Sequence, residues 1–230
     1  MPKEKLPSSI NAEEIEDSNS ESTTETEQSS EVERDPRVES LAIPLARDYA
    51  EKNYKKREDG TFEPAWRGVN GEKQYKGKSP EQIAEEEGIT VEEARSRVID
   101  IANQPYNEYS EYWKGQNRGG AEFLIGLLDE KGAEAIAEAD PSDNETREEY
   151  GNRIHDNWLE RNSWAKDPNY GDPVLAQPYN NLPANEQQKD IDQLVVLQTW
   201  LKGEQEKNHK RQLTYKKIAS AAVNLNNVKL

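Results

Sequence analysis

The stretch that decides the fold is Asn144-Glu145-Thr146-Arg147-Glu148-Glu149-Tyr150-Gly151-Asn152-Arg153-Ile154-His155-Asp156-Asn157-Trp158-Leu159-Glu160-Arg161, and beyond a loop, Pro183-Ala184-Asn185-Glu186-Gln187-Gln188-Lys189-Asp190-Ile191-Asp192-Gln193-Leu194-Val195-Val196-Leu197-Gln198-Thr199-Trp200-Leu201. The first part follows a turn and cap, Asp140-Pro141-Ser142-Asp143, and predicts a helix over about 144–162 with Tyr150, Ile154, Trp158 and Arg161 as its stripe. The second predicts the longest helix, from Pro183 to about Gly203. Ile191, Leu194, Val195, Val196, Leu197, Trp200 and Leu201 make it apolar over more than one face, so it belongs at the centre of a core. Between them, residues 163–182 form a loop rich in Pro and Asn.

Working upstream, Ala121 to about Ala139 reads as helix, with Phe123, Leu124, Leu127, Leu128 and Ile136 inward and Gly132 as a dividing point. Gly119-Gly120 reads as a break. The aromatic run Tyr106, Tyr109, Tyr112 and Trp113 has the spacing of one helical face, and its plainest use is burial on neighbouring helices. Ser79-Pro80-Glu81-Gln82 and Thr90-Val91-Glu92-Glu93 are two capping boxes, predicting helices either side of Gly88, the second running to about Ala102. Ala46 to Lys56 predicts a short helix inside an arm, residues 41–78, that wraps the folded part. No strand pattern of any length and no internal repeat is visible. The expectation is an all-α protein with small helical domains, long irregular loops and a disordered acidic N-terminal tail. Its divisions are 1–40 tail, 41–78 arm, 79–140 helical region, 141–203 helical module, and 204–230 basic helix or tail.

Composition limits the chemistry. Of 230 residues, 32% are hydrophobic and 33% charged, with 30 Lys+Arg against 46 Asp+Glu, a net charge of −16. A single packed domain would be nearer half apolar, so part of the chain stays outside any core. Residues 1–40 carry 4 basic and 12 acidic side chains, a net of −8, and the run from Ser18 to Ser30 has no apolar residue. Residues 202–230 reverse the sign, with 7 basic and 2 acidic, a net of +5. The overall charge argues against bulk nucleic-acid binding. The absence of Cys removes disulfides and thiolate chemistry, and two His leave little room for a His-based metal site. No apolar run approaches a membrane span and the N-terminus has no secretory pattern, so the expected compartment is cytoplasmic, or a virion for a viral protein.

The loop and its two flanking helices also carry the most specific wording. It runs His155-Asp156-Asn157-Trp158, Trp164, Tyr170-Gly171, Pro173-Val174-Leu175, Pro178-Tyr179-Asn180-Asn181-Leu182-Pro183, and Glu186-Gln187-Gln188-Lys189-Asp190. In order and rough spacing it resembles the ryanodine-receptor (RyR) domain family over about residues 147–201. The resemblance implies a binding or scaffolding module, of bacterial or phage origin, and no chemistry. Family members usually carry Lys where Gln187 stands and Arg where Ile191 stands, so a ligand held by those basic residues would be lost or different here.

Read from the residues alone, Trp158 and Tyr179 are large bodies with polar tips that can pin the loop to both helices. Pro178 and Pro183 fix the chain either side of Tyr179. Asp190 can accept from loop amides or from Arg161. A structural clamp is one reading. The other is a small-ligand pocket, with Trp158 or Tyr179 stacking and Arg161, His155 or Lys189 recognising an anion, and with Trp164, Tyr170 and Asp190 in the same set. No cofactor, metal site or catalytic constellation is expected. His155-Asp156 has no Ser or Cys beside it, Gly119-Gly120 is too short for a phosphate loop, and His209 lies in the basic end. The expected partners are a small anionic ligand or a protein, with oligomerisation open.

Two further readings stand beside this one. The pair at 79–103 resembles the helix-turn-helix of sigma factors and related regulators, but Glu92 and Glu93 at the tip of its second helix would face phosphate. That leaves a regulator, or an acidic DNA mimic, as one alternative. An acidic arm at one end and a basic helix at the other also suit a virion assembly protein.

Overall fold

A computed structural model of the chain describes residues 34–169 and 171–227, with residues 219–227 described as backbone. The fold class is as expected: all-α, with one two-stranded ribbon. The expected tail up to residue 33, and Tyr170, lie outside the described residues.

The first helix, α1 (Pro36–Asn53), begins ten residues before the expected Ala46. Asp35 caps it by accepting from the Arg37 amide, and Pro36 supplies a ready-made φ. Pro44 sits inside it and forfeits one backbone bond. The helix persists because Val38, Leu41, Ala42, Leu45, Ala46 and Ala50 form one buried stripe. Residues 36–40 therefore leave the tail, and residues 41–53 leave the arm, to join the core.

The ribbon pairs β1 (Trp66–Gly68) antiparallel with β2 (Val98–Asp100), Trp66 opposite Asp100. Between them lie α2 (Pro80–Glu87) and α3 (Val91–Arg95). Both capping boxes form as read, with Ser79 on Gln82 and Thr90 on Glu93, and Gly88 takes the left-handed turn at φ +68°. The second helix stops at Arg95 rather than Ala102, because Val98 and Ile99 are claimed by the ribbon and buried there. Tyr75, Ile83, Ala84, Ala94 and Val98 make a small core of their own.

The aromatic run is not one helical face. Tyr106 lies in a 3-10 turn, and Ser110 caps α4 (Glu111–Lys131), which carries Tyr112 and Trp113. Trp113 Nε1 donates to the Gly68 carbonyl at 2.9 Å, tying α4 to the ribbon. Gly119-Gly120 does not break this helix; α4 runs through both. Gly132, at φ +85°, divides α4 from α5 (Ala133–Glu138) as expected.

The last two helices are α6 (Asn144–Arg161), capped by Asp143, and α7 (Ala184–Asn227). Leu41, Leu124, Leu127, Ile136, Ile154, Leu194 and Leu197 meet in the main core, which joins α1, α4, α5, α6 and α7. Gln198 donates to the carbonyls of Ile136 and Ala139, and Trp200 Nε1 donates to Ser40 Oγ, so α7 is pinned at the centre. Gly203 does not end α7, which continues as one helix to Asn227, into the expected basic tail. Among the described residues no helix is long and apolar enough to cross a membrane.

Truncating Leu194 to Ala removes a fully buried side chain and is expected to cost about 2–5 kcal/mol in urea unfolding. Leu213→Ala, on the exposed part of the same helix, is expected to stay within about 0.5 kcal/mol of the parent. Equal losses would contradict the placement of α7.

Candidate ligand-binding cleft

Helix α6 directs His155, Trp158 and Arg161 along one face at three-residue spacing. The chain then enters a 3-10 turn, Ser163–Lys166. Buried Asn162 organises it, donating to the Trp158 carbonyl at 2.9 Å and accepting from Trp164 Nε1 at 3.1 Å. Trp164 thereby stands edge-on to Trp158, with ring centroids 5.9 Å apart, and Lys73 Nζ lies 3.8 Å over the Trp164 ring. Gly171 closes the turn against the Ala165 and Asp167 carbonyls, where no Cβ would fit.

His155 is 3% exposed and Asp190 6%. The ring of His155 stacks on Trp158 at an interplanar angle of 13°. Its Nε2 lies 2.8 Å from the Gln177 carbonyl, an acceptor, so that nitrogen carries the proton. Its Nδ1 faces Asp190 Oδ2 at 3.3 Å. Both nitrogens thus face acceptors, which favours the imidazolium. Burial works against that charge, but Asp190 and the Gln177 carbonyl outweigh it and raise the His155 pKa above its ordinary value. Burial also raises the Asp190 carboxyl, with His155 pulling part of that shift back.

Arg161 is placed by a feature that reads locally as a helix breaker. A Cβ on Gly119 would sit 2.8 Å from Arg161 Cδ, and one on Gly120 3.7 Å from its Nη2. Gly119 leaves room on α4 for the arginine stem, while a Cβ on Gly120 would make only ordinary contact. Nε donates to Asn157 Oδ1 at 2.9 Å and Nη1 to the Gln116 carbonyl at 3.0 Å. Among the described residues no carboxylate pairs with it. Burial pulls its pKa below the ordinary arginine value, partly offset by the charge of Glu122.

These side chains line a cleft of about 750 Å³. Its far wall comes from α1, the segment before α2, and α4, including Tyr49, Lys73, Tyr112 and Trp113. Of the expected set, the structure brings His155, Trp158, Arg161, Trp164, Lys189 and Asp190 to this cleft. Lys189 is already bound to Glu186 through two contacts of 2.8 Å, which weakens it as an anion ligand. Asp190 serves His155 and not Arg161.

Tyr179 does not reach the cleft. It is buried with Leu182 and Ile191, its ring where a Cβ on Gly151 would be. It is the clamp of the alternative reading. Gln187 belongs to the same clamp, its Nε2 shared by the Tyr179 and Leu182 carbonyls at 3.1 Å. Asn162, Asn157, Gln116 and the glycine pair were not legible as site residues. Arg161 itself was legible from the stripe of its own helix, but its passage over Gly119 was not.

The raised His155 pKa sets a pH dependence. A proton held more tightly in the folded state stabilises below the unfolded value and is lost as pH rises through the folded one. Urea midpoints should therefore fall as pH rises above the ordinary histidine value of about 6.5, and fall less in His155→Gln. Asp156, Glu186 and Lys189 are the other charges near the pair. A parent and variant with parallel profiles would contradict the pairing.

Compared with protein-family models, curated proteins and solved structures, the chain matches none.

Proposed function

We propose that the protein is a non-enzymatic, RyR-like binding module whose cleft takes a small ligand with a planar face and an anionic group. The observation that carries this reading is Arg161. A partly buried guanidinium without a carboxylate is costly, and such charges persist where something else neutralises them. Arg161 lies in the lining of a cleft whose walls include Trp158, Trp164, Tyr112 and Trp113. Aromatic walls with a few convergent polar groups are the usual make-up of a small-molecule site, and the volume falls within the usual range.

The binding role rests also on what the cleft lining contains. His155 and Asp190 are spent on each other and on the Gln177 carbonyl. The ordered motif from His155 to Asp190 supports the same role. The helix-turn-helix alternative is weakened by the five residues of α3, too short to present the several contacts a recognition helix makes.

A thermal-shift screen of the full chain against nucleotides, sugar phosphates and aromatic carboxylates tests the proposal. At about 100 times its dissociation constant a ligand adds about 2.7 kcal/mol, a rise of several degrees. The rise is expected to vanish in Arg161→Gln and to survive in Lys189→Gln. A flat screen, or a shift that Arg161→Gln retains in full, would overturn the reading.

A further inference from the structure

Past Leu201, α7 loses its neighbours. Every described side chain from Gln205 to Ile218 is exposed, and the helix runs on to Asn227. At 1.5 Å per residue the segment 204–227 extends about 36 Å. Tyr215 is 72% exposed and Ile218 61%. These two continue the three-and-four spacing of the buried Leu194, Leu197 and Leu201, interrupted by Glu204, Asn208 and Arg211, and the sequence carries it on with Ala222 and Leu225. A face that is core from Leu194 to Leu201 is thus bare at Tyr215 and Ile218.

The charge on this segment narrows what covers it. Lys207, paired with Glu204 on its own helix, is followed by Lys210, Arg211, Lys216 and Lys217, with no acidic residue after Glu206. Two such helices side by side would set cation against cation. Nucleic acid and anionic lipid would meet a molecule of net charge −16. Residues 41–201, by contrast, hold 19 basic and 32 acidic side chains, a net of −13. We propose that residues 204–227 dock on the acidic body of a second copy of this chain, reciprocally about a two-fold axis. Charge complementarity brings the helix in, and Tyr215 and Ile218 gain cover on arrival.

Light scattering on the full chain tests this. The expected mass is that of two chains at about 0.05 M salt, falling toward one chain at about 1 M, where screening is nearly complete. The triple variant Lys207→Glu, Lys210→Glu, Arg211→Glu is expected to halve the mass at low salt with an unchanged far-ultraviolet spectrum, since all three positions are exposed. Zero-length amine-to-carboxylate crosslinks in mixed light and heavy dimers should join Lys207 or Lys210 of one copy to the body of the other. A parent that is a single chain at low salt overturns the proposal. So does a dimer that survives the charge reversal and is lost in Tyr215→Ser/Ile218→Ser, which would be two α7 helices paired by their apolar faces.

Discussion

The passage of Arg161 across the glycine pair of α4 is the constraint on which the cleft depends. Each glycine inside a helix costs about 0.5–1 kcal/mol relative to alanine. Gly119 accepts that cost where a Cβ would meet the arginine stem. The guanidinium then bonds to Gln116 on α4 and to Asn157 on its own helix, so that α4 and α6 are held at one separation. Trp158, one turn before Arg161, inherits its place from that separation. So does Trp164, through the bonds that Asn162 makes to Trp158 and to the Trp164 indole.

Around this contact the loop is held by groups that leave the cleft alone. Tyr179 fills the space over Gly151, Gln187 satisfies two loop carbonyls, and His155 ties Gln177 to Asp190. The clamp and pocket readings of this stretch thus fall on different residues. Tyr179 is the clamp, and Trp158 with Arg161 faces the opening. The Gln187 and Ile191 positions are internal: one bonds to backbone, and the other is fully buried.

What was legible in the sequence is what local physics decides. Ser79, Thr90 and Asp143 cap the helices they precede because a cap is settled within four residues. The central burial of α7 was readable from its apolar breadth. What was not legible is settled at long range. Val98 and Ile99 carry a helical pattern but pair with Arg67 and Gly68 some thirty residues away. Pro44 looks like a stop, yet the stripe from Val38 to Ala50 packs well enough to override it. Gly119-Gly120 reads as a break until the arginine some forty residues later is in view. More than half of the cleft lining, Tyr49, Lys73, Tyr112 and Trp113 among it, comes from segments with no local sign of a site.

The central claim is that Arg161 is an anion site. It is tested most directly by following the arginine side-chain Nε–H signals of the labelled full chain by NMR during titration with inorganic phosphate. The account predicts a saturable shift of the Arg161 signal, with Arg37 and Arg153, already engaged with Asp129 and Glu130, unmoved. An Arg161 signal that stays fixed, or that drifts linearly along with every other arginine, would contradict it.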